Sequence, residues 1–126
     1  MDNPFLSNTS QPLVALCGPR KGYLQIAPSQ EITQYQDLPK SLFEAAQHWA
    51  IALEQLGAKR IYWITLSEAV PHLHIHLYPR WSEDEPKGLV LFEQRNTMPQ
   101  PLWTDPVEQA LVTWARRFQV MLLSNV

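Results

Sequence analysis

Three histidines stand two residues apart in this chain: His72, His74 and His76, interleaved with Leu73 and Ile75 and followed by Leu77 and Tyr78. Imidazole changes charge near neutral pH. It can attack phosphorus, protonate a departing oxygen, hydrogen-bond an anion or ligate a metal. Strict alternation from His72 to Tyr78, closed by Pro79, predicts a β-strand, in which residues two apart share a face and sit about 6–7 Å from each other. The spacing therefore predicts a row of three rings on one face, open to solvent. Leu73, Ile75 and Leu77 form a hydrocarbon row on the other face, directed at a helix.

A strand face that is merely solvated would use serine, threonine or lysine as readily, yet three of the chain's four histidines fall within five residues. Two chemical readings follow. A zinc site is one, but three rings spread over about 13 Å of strand cannot easily all reach one ion with bonds of about 2.0–2.1 Å. Such a site would take two of the rings and a carboxylate from elsewhere. Phosphoryl or nucleotidyl chemistry is the other, and a linear row suits an extended substrate, with one ring at the phosphorus and its neighbours at adjacent oxygens. Cys17, the single cysteine, lies in an apolar run and reads as a buried structural thiol. Arg20 and Lys21, in a turn, read as solvated charges. His48 falls on the outer face of a helix. The five tryptophans read as core and interface, with Trp81 the one best placed near the histidine strand.

The elements that must position the row are legible around it. Residues 1–12 read as a loose lead-in. Leu13-Val14-Ala15-Leu16-Cys17 reads as a buried strand, and Gly18-Pro19-Arg20-Lys21-Gly22 as a turn. Tyr23-Leu24-Gln25-Ile26-Ala27 reads as a second strand stopped by Pro28, which makes a hairpin. A helix is predicted from the cap candidate Asp37, with Pro39 in its first turn, to a stop at Gly57; Leu42, Ala46, Trp49, Leu53 and Leu56 form its apolar stripe. Arg60 to Leu66 is rich in β-branched and aromatic residues and reads as a strand, with Ser67 to Pro71 as connection. Beyond Trp81 the chain is irregular, with a possible short strand at Leu89-Val90-Leu91-Phe92. A second helix is predicted near 105–123, opened by Asp105, Pro106 and Glu108 and striped by Val107, Leu111, Trp114, Phe118 and Leu122.

Bulk properties narrow the classes. One domain fits 126 residues, and 45% hydrophobic with 17% charged residues marks a globular chain. A net charge of −2, from ten basic and twelve acidic side chains, argues against a nucleic-acid binder, though one phosphate can be neutralised locally. The single cysteine permits no internal disulfide. No basic, apolar leader or bilayer-length run is present, so a cytoplasmic protein without membrane association is expected.

Pro71-His72-Leu73-His74-Ile75-His76-Leu77-Tyr78-Pro79-Arg80 resembles the motif of the histidine-triad (HIT) family, and Gly22 to Pro28 resembles that family's Gly-His-hydrophobic-Pro segment. The likeness covers roughly residues 13–82, with 83–126 as a C-terminal extension. It implies an α+β fold across 1–126: a mainly antiparallel sheet with a helix packed on one face and an additional C-terminal helix. It implies a nucleotide hydrolase or nucleotidyl transferase acting at the α-phosphate of a nucleoside phosphate conjugate, with no cofactor. The substrate would be a purine nucleotide or a dinucleoside polyphosphate-like molecule. By position His74 would be the nucleophile forming a nucleotidyl-histidine intermediate, flanked by His72 and His76. Ser67, Glu68 and Val70 occupy the substrate-binding run where family members often carry Gly-Gln-Ser/Thr-Val, so weak activity is expected. Glu31 stands where the family has a further histidine. The resemblance also implies a homodimer. A nucleotide-binding or scaffolding module that has lost catalysis is the alternative from another class.

Overall fold

The computed structural model describes residues 3–6, 8–67 and 71–123. A hairpin of β1 (Leu13–Cys17) and β2 (Leu24–Pro28) leads through a 3₁₀ turn at Tyr35–Asp37 into helix α1 (Lys40–Gln55). Then come β3 (Arg60–Ile64), β4 (Ile75–Arg80), the short helix α2 (Leu89–Glu93), helix α3 (Asp105–Phe118) and β5 (Val120–Leu123). The sheet order is β3-β4-β2-β1-β5. All neighbours are antiparallel except β1 and β5, which run parallel. This is the α+β class the sequence indicates: a mainly antiparallel sheet with α1 and α3 against one face.

Alternation sorts the sheet into two faces. Leu13, Ala15, Leu24, Ile26, Ile61, Ile75, Leu77 and Val120 join one buried cluster with Leu42, Ala45, Ala46, Trp49 and Leu53 of α1 and Val107, Leu111 and Trp114 of α3. The Trp114 indole donates to the Ala45 carbonyl at 2.7 Å, so the C-terminal helix packs on its own domain. Trp49 donates to the Gly22 carbonyl at 2.9 Å and fastens α1 to the hairpin turn. Gly22 has φ 79°, and a Cβ there would stand 2.6 Å from Leu53 Cδ2, so both backbone and packing require glycine. The opposite face carries Val14, Ala27, Tyr62, Ile64, His76 and Tyr78 in the registers of β1 to β4.

Several boundaries differ from expectation. Helix α1 starts at Lys40, because Pro39 holds Leu38 extended (ψ 134°) and leaves Asp37 in the 3₁₀ turn before it. Leu56 falls past the last turn and is 37% exposed, while Ala45 joins the stripe instead. Leu89–Glu93 is a helix, not a strand. Adjacent Leu91 and Phe92 are both buried, which an alternating strand cannot arrange on one face. The predicted helix to 123 ends at Phe118, where Gln119 turns left-handed (φ 56°) and releases Val120–Leu123 to pair with the open edge of β1. β3 stops at Ile64. β4 begins at Ile75, later than His72, since Pro28 offers no N–H and the Leu73 N–H bonds to the Ile32 carbonyl at 2.8 Å instead. The strand runs on through Pro79, whose carbonyl accepts from Arg20 Nε at 2.7 Å.

Candidate active site

His72, His74 and His76 occupy the sheet face opposite α1 and α3, His76 within β4 and the other two in the segment leading into it. The His74 and His76 rings meet edge to face, centroids 4.9 Å apart. His74 Nδ1 lies 2.9 Å from the His72 carbonyl oxygen. A carbonyl only accepts, so this nitrogen carries the proton and Nε2 keeps a free lone pair. The Ser67 hydroxyl accepts the His74 backbone N–H at 3.3 Å and sits 3.4 Å from Nδ1. Ser67 itself is left-handed (φ 53°), a position rare for serine and one that places its side chain against the ring.

The flanking rings are held by partners the sequence did not single out. Asn3 Oδ1 accepts the Phe5 N–H at 2.9 Å, which leaves Asn3 Nδ2 to donate to His72 Nδ1 at 3.0 Å. The His72 proton is then on Nε2, which has no hydrogen bond among the described residues. Tyr23 Oη lies 2.7 Å from His76 Nδ1. Burial pushes the Tyr23 phenol well above its usual range, so it stays protonated and donates, placing the His76 proton on Nε2. Gly18 leaves the space for the Tyr23 ring, which a Cβ there would enter. All three imidazoles are held below their usual range, first by burial. For His76 the value falls to about 4, with His74 and Arg95 adding to it. His74 is lowered by burial against its backbone bond to His72. His72 is lowered by burial and by His74, against the Pro28 and Gln30 backbone and Glu31. At neutral pH the row is uncharged.

The expected open histidine face is a correction. His72 is 0% and His74 7% exposed, and only His76 is partly open. They are not in the helix-side core; the lead-in covers them. Phe5 is buried, stacks on His74 with centroids 4.6 Å apart, meets His72 edge-on at 5.6 Å and joins Val14 and Ala27 in a small cluster. On the other side Phe92 of α2 stands edge-on to His76 at 5.1 Å and packs with Tyr23, Tyr78 and Leu91. Ile75 and Leu77 join the helix-side core as expected, and Leu73 is buried as well. Of the substrate-binding candidates Ser67 stands beside His74, whereas Glu68 and Val70 lie outside the described residues.

Other candidates resolve into structure. Arg20 is no solvated turn charge: it is 1% exposed, with Nε on the Pro79 carbonyl, Nη1 on Gln100 Oε1 at 2.8 Å and Nη2 paired with Glu85. Lys21 Nζ lies 4.0 Å above the Trp81 ring, and the Trp81 indole donates to the Lys21 carbonyl at 2.8 Å, so Trp81 belongs to the packing of that turn. Burial raises the half-buried Cys17 thiol to about 11, the state of an inert thiol. His48 is half-buried against Phe118. Among the described residues no group of three or more His, Cys, Asp or Glu could hold a metal ion, so the zinc reading finds no third ligand there. Among them, too, no helix is long and apolar enough to cross a membrane.

No family model and no curated protein sequence matches this chain. Solved structures do resemble it. A histidine triad protein from Bradyrhizobium japonicum superposes with a TM-score of 0.50 at 22% identity, covering 77% of this chain and 75% of that one. A Hit-like protein involved in cell-cycle regulation from Bartonella henselae gives 0.49 at 14% identity, over 90% and 84%. A hypothetical histidine triad nucleotide-binding protein from Sulfolobus tokodaii gives 0.45 at 15%, over 87% and 79%. The first of these carries the comparison: the chain has the histidine-triad fold.

Proposed function

We propose that this protein is a nucleotide hydrolase or nucleotidyl transferase of the histidine-triad kind, cleaving at the α-phosphate of a purine nucleotide or dinucleoside polyphosphate-like conjugate. One observation carries the reading. His74 is locked by the His72 carbonyl with its proton on Nδ1 and its lone pair on Nε2, the state a nucleophile needs and one that its lowered pKa maintains at neutral pH. The Nε2–H groups of His72 and His76 are then hydrogen-bond donors for phosphate oxygens on either side, in a region of low dielectric where such bonds are strong. Ser67, beside His74, is the remaining donor for the phosphate, with Glu68 and Val70 proposed as its neighbours in the substrate-binding run. Substrate reaches His74 only if the Phe5 cover moves. A homodimer joined through the sheets, and a cytoplasmic setting, are part of the same proposal.

The covered row also supports a second reading, a nucleotide-binding module without turnover, since His72 and His74 are closed off as the chain stands. A panel of adenylyl and guanylyl conjugates, assayed with His74→Ala alongside, separates the two. His74→Ala should remove nearly all turnover, and His72→Ala and His76→Ala should each lower it about 10²–10³-fold. A chelator should leave the wild type unchanged. Turnover that survives His74→Ala but vanishes with chelator would sink the covalent mechanism. Nucleotide bound without turnover would favour the binding module.

A further inference from the structure

Resting on that hydrolase reading, we infer that the cavity beside His76, lined by Tyr23, Gln25, Tyr78, Arg95 and Asn96, is the subsite for an inorganic phosphate leaving group, so that the substrate is a nucleoside di- or polyphosphate rather than an amine-linked conjugate. No histidine lines the cavity itself, but three of its lining residues are neighbours of His76. Gln25 lies directly across from His76 in the β2–β4 register, Tyr78 is two residues further along the same face of β4, and Tyr23 is bonded to His76. Its volume is about 140 Å³, several times the roughly 30 Å³ of a water. That leaves room for a phosphoryl group.

Charge along the row is polarised in the matching sense. The Glu31 carboxylate acts on His72, whereas the Arg95 guanidinium acts on His76. Arg95 lies 4.0 Å over the Phe92 ring with Nη1 on the Phe92 carbonyl at 2.9 Å, and no described residue accepts from its other N–H groups. Those groups are free for a bidentate bond to an oxyanion. Arg20 also lines the cavity, but each of its three side-chain nitrogens is already engaged, by Pro79, Gln100 and Glu85, and it neutralises Glu85, a carboxylate that acts on Tyr78. A polyphosphate chain therefore runs from His74 toward Arg95, away from Glu31.

Leaving-group chemistry agrees. An imidazole as weakly basic as His76 is uncharged at neutral pH and is a poor general acid. An amine or alkoxide leaving group needs a proton. A terminal phosphate that already carries one proton leaves as the stable hydrogenphosphate dianion and needs only hydrogen bonds. In the first step the His74 Nε2 lone pair forms a bond to the α-phosphorus. The bond from that phosphorus to the bridging oxygen breaks, its electron pair stays on the departing phosphate, and the charge is met by Arg95 and the His76 Nε2–H. Water then bonds to phosphorus, the P–N electron pair returns to Nε2 and the water proton passes to solvent. Nucleoside diphosphate and water give nucleoside monophosphate and phosphate.

The test is a titration of the full-length protein with inorganic phosphate, read at the imidazole NMR signals. The His76 signal should shift saturably. Arg95→Gln should weaken the binding about tenfold or more, Arg95→Lys should restore only the part that charge alone supplies, and Arg117→Gln, on the exposed side of α3, should match the wild type. No saturable His76 shift, or equal affinity in Arg95→Gln, overturns the subsite. Wild-type cleavage of an adenosine phosphoramidate as fast as of adenosine diphosphate overturns the leaving-group assignment while catalysis stands. Phosphate binding that depends on Arg95, without cleavage of any conjugate, removes the hydrolase reading and leaves the subsite as an anion site.

Discussion

Replacing Phe5 with alanine should uncover the histidine row without unfolding the sheet. The ring is 1% exposed, packs with Val14 and Ala27 and stacks on His74 at 4.6 Å. Burying such a side chain contributes about 2–3 kcal/mol, the stack about 1 kcal/mol and the Asn3–His72 bond about 1 kcal/mol. Ordering residues 3–6 costs about 1–2 kcal/mol for each. The gains and the ordering cost are thus of similar size, the covered and open forms lie close in free energy, and Phe5→Ala removes most of what favours the covered one. Because the three rings are neutral and nucleophilic at pH 7, their reaction with diethyl pyrocarbonate, mapped by peptide mass spectrometry, reports access, with half-buried His48 as internal standard. His72 and His74 should react slowly in the wild type and roughly 10–100-fold faster in Phe5→Ala, while His48 reacts equally in both. Tm should move by only a few degrees, because the main core is untouched. Equal His74 rates in the two proteins would refute the idea of a cover. So would a collapse in Tm that exposes all four histidines together, since Phe5 would then be part of the cooperative core.

Acid should destabilise the fold through the same row. His76 is lowered from 6.5 to about 4, so below about 6.5 the unfolded chain takes up a proton that the folded chain refuses. Stability is complete above about 6.5, falls across the window down to about 4 and levels beneath it, the His76 share reaching about 3 kcal/mol. Urea melts against pH should show this slope, and His76→Gln should flatten it. Tyr23→Phe removes the donor that fixes the His76 tautomer; kcat should fall about tenfold with little change in KM, and nitrogen NMR should show the proton shared between the two ring nitrogens. A flat response in both measurements would mean that the bond is only structural. Light scattering should give a dimer mass at micromolar protein, and a monomer at every concentration would refute the homodimer.

The residues that spell a local period were readable from the chain alone. Alternation marked Leu73, Ile75 and Leu77 as one side of a strand and the histidines as the other. The Leu42, Ala46, Trp49 and Leu53 spacing marked the helix that covers the aliphatic side. Gly57 and Pro39 bracketed that helix, with the start shifted to Lys40 by the backbone limits that Pro39 places on Leu38. Short apolar runs were not decidable this way. Leu89–Glu93 and Val120–Leu123 are too brief for periodicity to choose between helix and strand, and the choice fell to what lay beside them: an aromatic cluster for the first, the unpaired edge of β1 for the second.

Long-range partners decided the rest. Nothing in the order of residues says that Asn3 will reach His72, that Phe5 will lie on His74, or that Arg20 will be buried between Pro79, Gln100 and Glu85. Tyr23 carried a faint signal, since it shares the alternation that puts Gln25 and Ala27 on the histidine side of β2. Its bond to His76 nevertheless depends on the β2–β4 register. Residue types and spacing thus determined which chemistry the chain could perform. Which imidazole nitrogen holds a proton, how basic each ring is and whether a substrate can reach it were set only by tertiary packing, because desolvation and hydrogen-bond partners come from residues distant in the chain.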